Sequence, residues 1–134
     1  MTVAVRSGDL PVARDISTAL RARPRVRLLR PGQETRAQAL LVLATELDEE
    51  ALAFMRGACG DQGRPSVVLV ARYVRRDRLL RAVRYGLVDV LPRCAGLDHI
   101  ELALLRSREG RPRLSESALA EGLDLRHRVQ AVGG

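Results

Sequence analysis

Two uninterrupted apolar runs constrain the fold more than any other feature of this chain. They are Ala39-Leu40-Leu41-Val42-Leu43-Ala44 and Ser66-Val67-Val68-Leu69-Val70-Ala71. Each run is too short for a buried helix, whereas strands of a parallel sheet that is covered on both faces are typically continuous apolar runs of this length. The two runs therefore predict central strands of a parallel sheet.

Three weaker strand patterns accompany the two central ones. The first opens the chain, the second comes after a proline, and the third lies between a glycine and a proline; they cover Thr2 to Val5, Val26 to Leu29 and Leu87 to Leu91. Helical segments alternate with the strands, and such alternation is typical of α/β folds. We therefore expect an open five-stranded parallel sheet with helices on both faces.

The helical segments carry recognisable start signals. Asp9 followed by Pro11 predicts the cap of a first helix, and Thr45 with Asp48 resembles a capping box before another. Two further helices are predicted from about Arg75 to Tyr85 and from Leu97 to Leu105. The connector from Arg30 to Gln38 has nine residues and contains Pro31-Gly32, so the second helix of the alternating pattern should be short or missing.

Chain length and the distribution of apolar residues predict one domain followed by a more polar segment. Residues 1–109 carry the alternating pattern and fit a single core. After Gly110 the chain becomes polar, and a helical stretch is indicated by Leu119, Leu123, Leu125 and Val129, so residues 110–134 are expected to be a linker that is partly helical.

Composition excludes several classes of protein. The longest apolar run has six residues, far below the ~18 to 20 that cross a bilayer, so we expect no membrane contact and a cytoplasmic location. The two cysteines show neither CxxC spacing nor a histidine cluster, and no metal or cofactor is indicated. All 23 cations are arginine, but with 2% aromatic residues no stacking platform exists, so nucleic-acid binding by this segment would rest on phosphate contacts alone.

Functional groups of an open parallel sheet collect where its strands end at their carboxyl ends. The residues in these positions are Arg6-Ser7-Gly8-Asp9, Leu43-Ala44-Thr45, Val70-Ala71-Arg72 and Pro92-Arg93. They contain no nucleophile-base pair, and no Gly-x-Ser-x-Gly elbow is present, so the sequence does not indicate an enzyme.

The strand pattern resembles the receiver domain of response regulators. The resemblance covers about Thr2 to Arg108 and includes a last strand with the pattern Gly-x-x-Asp-x-Leu-Pro-Arg, from Gly86 to Arg93. The segment Ser107 to Ser115 also resembles the stretch after the last receiver helix in transcription regulators of the LuxR/NarL type. The resemblance implies a flavodoxin-like fold and a linker that leads to a helix-turn-helix domain absent from this chain.

A receiver that is phosphorylated needs an acidic pair for Mg²⁺, an aspartate nucleophile, a hydroxyl and a lysine at the strand ends. This chain departs at almost every position. The acidic pair falls on Ser7 and Gly8 with Asp9 one place late, the nucleophile on Leu43 or Ala44, the hydroxyl on Val70 or Ala71, and only the lysine position keeps a cation, Arg93. We therefore expect a degenerate pocket that does not undergo aspartyl phosphorylation.

Individual residues leave two interpretations open. Asp9 is either a remnant metal ligand or a helix cap, and Arg93 either binds an anion or is solvated or paired in a salt bridge. Cys94 is interpreted as a bystander thiol, and His99 and His127 as surface histidines. No metal site is expected.

The resemblance also implies a dimer face. In receivers the face made by the fourth helix, the fifth strand and the fifth helix commonly mediates dimerisation, and here it implies cross-subunit ion pairs among Arg81, Arg84, Asp89, Asp98 and Glu101. The alternative is an ordinary solvated surface, because exposed ion pairs contribute only ~0 to 1 kcal/mol each.

The sequence supports two functions. The first is a regulatory receiver-like domain of a DNA-binding transcription regulator, which acts without phosphorylation through dimerisation, a small-molecule effector or a protein partner. DNA would be bound only by the missing domain. The second is a free-standing adaptor that binds another protein and not DNA.

Overall fold

A parallel sheet forms the centre of the molecule. The computed structural model describes residues 1–30, 32–58, 65–109 and 113–125. Its strands are β1 (Thr2–Ser7), β2 (Arg27–Leu28), β3 (Ala39–Leu43), β4 (Ser66–Val70), β5 (Tyr73–Val74), β6 (Leu87–Leu91) and β7 (Leu123–Asp124). The main sheet has five parallel strands in the order β2-β1-β3-β4-β6, and β5 pairs with β7 in a second sheet. The expected α/β class, five-stranded sheet and flavodoxin-like order are confirmed.

Helices cover both faces of the sheet, as expected. They are α1 (Leu10–Arg21), α2 (Glu49–Ala58), α3 (Arg76–Arg84), α4 (Leu97–Arg106) and α5 (Glu116–Glu121). Side chains of α2 and α3 share one core cluster, and side chains of α1 and α4 share the other. The sheet therefore separates two apolar layers.

The central strand β3 joins these two layers. All five of its residues are buried, with Leu40 and Val42 in the layer of α2 and α3 and Leu41 and Leu43 in the layer of α1 and α4. Successive side chains of a strand point to opposite faces, so a strand that is covered on both faces must be apolar at every position. This is the physical basis of the continuous apolar run.

The start of α1 agrees with the sequence, whereas the start of α2 corrects it. Asp9 caps α1 by accepting a hydrogen bond from the Val12 amide at 3.4 Å. The capping box from Thr45 to Asp48 is wrong, because α2 begins at Glu49. Asp48 itself is the cap, and its Oδ1 accepts from the Ala51 amide at 2.8 Å. Thr45 lies too far upstream to cap the helix.

The connector between β2 and β3 contains a single turn of 3-10 helix, Glu34–Arg36. This confirms that the second helix of the pattern is short. β2 is correspondingly small, with two residues at the outer edge of the sheet.

Residues 113–125 pack against the domain. Helix α5 contacts α3, β7 pairs with β5 in antiparallel register, and Ala118 and Leu125 are buried in the layer of α2 and α3. The expected helical character of this part is present in α5, whereas Leu123 lies in the strand β7 and not in a helix. The wider expectation, a linker over 110–134 that leads to another domain, stays a prediction, and residues 126–134 lie outside the described residues.

Replacing the helix cap tests the corrected start of α2. Asp48→Ala should lower the free energy of unfolding by about 0.5–2 kcal/mol, because it leaves the Ala51 amide without its acceptor. Urea denaturation measures this loss. Glu50→Ala, at an exposed position of the same turn, is the matched control and should change stability by no more than about 0.5 kcal/mol. Equal losses in the two variants would contradict the assignment.

Candidate functional site

The carboxyl ends of the main strands meet at one level. In the sheet register, Ser7 lies beside Leu43, Leu43 beside Val70, and Val70 beside Leu91. Loops at these strand ends surround an open cavity of about 480 Å³. The cavity therefore lies where an open parallel sheet normally binds its ligands.

The cavity brings together most of the residues that the sequence placed there. Its lining includes six of them, Ser7, Gly8, Asp9, Leu43, Ala44 and Arg93. Val70 and Ala71, the expected hydroxyl positions, are buried and do not belong to the lining. Four carboxylates also line the cavity, those of Asp9, Glu46, Asp48 and Glu50.

Three of these carboxylates have partners within the chain. Asp9 accepts from the Val12 amide, Asp48 accepts from the Ala51 amide, and Glu46 pairs with Arg78 at 3.4 Å. Among residues 1–30, 32–58, 65–109 and 113–125, no group of three or more His, Cys, Asp or Glu side chains is arranged to hold a metal ion. For Asp9 the helix-cap interpretation is confirmed.

Thr45 and Arg93 connect two sides of the cavity. Arg93 Nη1 donates a hydrogen bond to the Thr45 hydroxyl at 3.1 Å, and Arg93 is otherwise exposed. Sequence reasoning placed Thr45 after β3 but gave it the role of a cap. Its position directly behind the nucleophile position was the signal that could have assigned it to the cavity.

Arg6 also lines the cavity and contacts an aromatic ring. Its guanidinium carbon is 5.1 Å from the centre of the Phe54 ring, within cation–π range. Phe54 belongs to α2, so this contact joins the end of β1 to the helix that comes after β3. Carboxylates outnumber arginines in the lining, which disfavours a multiply charged anion as its occupant.

The expected dimer-face residues make contacts within the chain. Asp98 pairs with Arg23 at 2.6 Å, Glu101 lies 3.9 Å from the same guanidinium, and the Asp89 carboxylate accepts from the Val90 amide at 2.9 Å. Arg81 donates to both oxygens of Glu49, at 2.7 and 3.0 Å. Arg84 is exposed at the end of α3.

The remaining candidate side chains lie apart from the cavity. Cys94 and His99 are exposed and neither belongs to the cavity lining. Cys59 and His127 lie outside the described residues.

Comparisons with known proteins identify the fold. No family model and no curated protein matches this chain. A solved structure of a response regulator from Thermotoga maritima is 22% identical, with a TM-score of 0.55 and an alignment that covers 81% of this chain and 97% of that one. The chain has a receiver fold. A Burkholderia pseudomallei protein described as related to pilus assembly is similar too, at 21% identity and a TM-score of 0.61, covering 86% of this chain and 94% of that one.

The receiver fold here carries no candidate membrane span. Within the described residues, every helix is too short or too polar to cross a bilayer.

The pair between Arg81 and Glu49 gives a prediction about protonation. The hydrogen bond from Arg81 holds the pKa of Glu49 below its usual value of 4.5. A lowered pKa in the folded state means that the pair stabilises the fold above pH 4.5 and loses this contribution as the pH falls through the lowered pKa. Arg81→Gln should therefore raise the Glu49 pKa towards 4.5, as measured by NMR titration of its carboxyl carbon.

Arg84→Gln is the matched control for this titration. Arg84 lies on the same helix and is not among the groups that shift the Glu49 pKa. An unchanged Glu49 titration in Arg81→Gln, or an equal shift in Arg84→Gln, would contradict the assignment.

Proposed function

We propose that this receiver-like domain regulates a DNA-binding transcription regulator of the LuxR/NarL type without being phosphorylated. The observation that carries the proposal is the cavity lining. Leu43 and Ala44 line it where the nucleophile would stand, and Ser7 and Gly8 line it where a metal-binding acidic pair would stand. Such a regulator would act in the cytoplasm, where its DNA target lies, and would have no catalytic activity of its own.

The chemistry of the lining supports this proposal. A leucine or alanine side chain cannot accept a phosphoryl group, and Mg²⁺ requires several oxygen ligands around one point. Two of the carboxylates in the lining, Asp9 and Asp48, already accept hydrogen bonds from helix amides. Coordination of a divalent cation by these groups would cost the caps of α1 and α2.

Acetyl phosphate tests the absence of phosphorylation. Incubation with Mg²⁺ and acetyl phosphate should leave the intact mass unchanged, because no carboxylate stands at the nucleophile position. Peptide mapping of the treated protein would locate any modification. A phosphoryl group retained on Asp9 or Asp48 would overturn the proposal.

Regulation would then depend on association or on a ligand. Two large apolar side chains, Leu80 on α3 and Leu102 on α4, are exposed on helices that flank the outer strand β6. Arg84 is also exposed there. These residues support a homodimer through the expected face. Cross-subunit salt bridges from Arg81 and Asp98 are less favoured, because both side chains already form ion pairs within the chain.

Charge reversal tests the dimer. Arg84→Glu should weaken self-association in sedimentation experiments, because it inverts the charge at this face. Arg14→Glu, at an exposed position of α1, is the matched control and should associate like the parent chain. A chain that stays monomeric at all accessible concentrations would rule out the dimer.

A free-standing protein adaptor is the second candidate. The similarity to a protein that is described as related to pilus assembly, and not to transcription, supports it. The translated natural gene separates the two candidates. A helix-turn-helix pattern beyond Gly134 supports the transcription regulator, and its absence supports the adaptor.

A further inference from the structure

Main-chain hydrogen bonds join the cavity to the C-terminal segment. The Thr45 carbonyl accepts from the amides of Arg72 at 2.9 Å and Tyr73 at 3.3 Å. The Arg72 carbonyl in turn accepts from the Leu125 amide at 2.7 Å. Glu46 also forms a parallel bridge with Tyr73, and β5 pairs with β7. The cavity loop that contains Thr45 and Glu46 is therefore hydrogen-bonded to the β5 segment, which is in turn hydrogen-bonded to the β7 segment.

Residues 113–125, which we call the C-terminal strap, lie against the domain along their length. At one end the Arg113 amide donates to the Val88 carbonyl of β6 at 2.6 Å. In the middle, Ala118 of α5 is 5% exposed, and at the other end Leu125 is 3% exposed. Both belong to the core cluster that contains Leu79 and Ala82 of α3. The strap thus covers apolar surface of the domain.

Gly122 fixes the closest approach of the strap. Its φ is +83°, a conformation that L side chains rarely adopt. A Cβ at this position would lie 2.6 Å from the Val74 carbonyl oxygen and 2.9 Å from the Arg76 nitrogen, both main-chain atoms. Any side chain here must move the strap away from β5.

The strap depends on the domain for its order because its helix is so short. Helix α5 has six residues, and isolated helices shorter than ~12–15 residues are marginal in water. Its order therefore depends on the domain beneath it. Without these contacts neither α5 nor the two-residue strand β7 has support of its own.

The loop that lines the cavity is also tied to α3. Arg78 donates to the Leu47 carbonyl at 3.1 Å and to Glu46 at 3.4 Å, and the Thr45 hydroxyl accepts from Arg93. Residues 45–47 thus contact the cavity, the helix beneath the strap and the strand that pairs with the strap. A displacement of this loop cannot leave all of these bonds intact.

We infer that the strap is the conformational output of the cavity, docked while residues 45–47 keep their present position and released when an occupant of the cavity displaces them. Release exposes the apolar surface of β5 and α3. The coupling does not depend on which of the two candidate functions holds. Linkage is reciprocal, so undocking the strap must also loosen residues 45–47.

Hydrogen exchange of the full chain tests the coupling from the cavity to the strap. Thr45→Val keeps the shape of the side chain but removes the acceptor of Arg93. We expect the amides of Ala118, Gly122 and Leu125 to exchange at least about fivefold faster, the lower end of couplings between sites. Thr18→Val, on the exposed side of α1, is the matched control and should leave these amides at parent rates.

The reverse experiment starts from the strap. Gly122→Ala should undock it, and the Arg72 and Tyr73 amides, which donate to Thr45, should then also exchange at least about fivefold faster. Amides of α1 should keep their parent rates. Ser115→Ala, which removes the side-chain acceptor of the Ala118 amide, gives a milder undocking if Gly122→Ala fails to fold.

Three results would overturn the inference. The first is an acceleration of less than about fivefold in the exchange of the strap amides of Thr45→Val. The second is an equal acceleration of these amides in Thr45→Val and Thr18→Val. The third is an undocked strap whose release leaves the Arg72 and Tyr73 amides at parent rates.

Discussion

Burial of β3 on both faces is the constraint on which the rest of the structure depends. Its five residues are all buried, and the strand pairs with β1 on one side and β4 on the other. A slip of one residue would exchange Leu40 and Val42 with Leu41 and Leu43 between two different apolar layers. The observed register sets Ser7, Leu43 and Val70 at one level. The cavity exists because these strands end together.

The fold was readable from the sequence because its main signals are local. Continuous apolar runs, Asp9 before Pro11, and the glycine and proline around β6 each report a property of a few neighbouring residues. The cap of α2 was misassigned because Thr45 and Asp48 both satisfy the composition of a cap, and only the actual start of the helix separates them. Thr45 is instead held by Arg93, 48 residues away in sequence. No local pattern encodes that contact.

The same limit applies to the C-terminal segment. Its polar composition and helical spacing are those of a linker, and its attachment depends on a few atoms. Among these are the Arg113 and Leu125 amides, which donate to main-chain carbonyls of the domain. Gly122 also contributes, because its lack of a side chain permits the close approach to β5. Similarly, the sequence could not show that Glu49 lies within reach of Arg81, or Arg23 within reach of Asp98. Asp9 and Asp48 line the cavity, yet each accepts a hydrogen bond from an amide at the start of a helix.

The two margins of the main sheet have a consequence for behaviour at high concentration. A long bare outer strand is a template for polymerisation between molecules. Here one outer strand, β2, has only two residues, and the other, β6, gives its Val88 carbonyl to Arg113. Among the described residues, the first margin is too short for extended pairing, and the second has one of its carbonyls already engaged. A second molecule that added a strand at β6 would therefore have to displace Arg113 first.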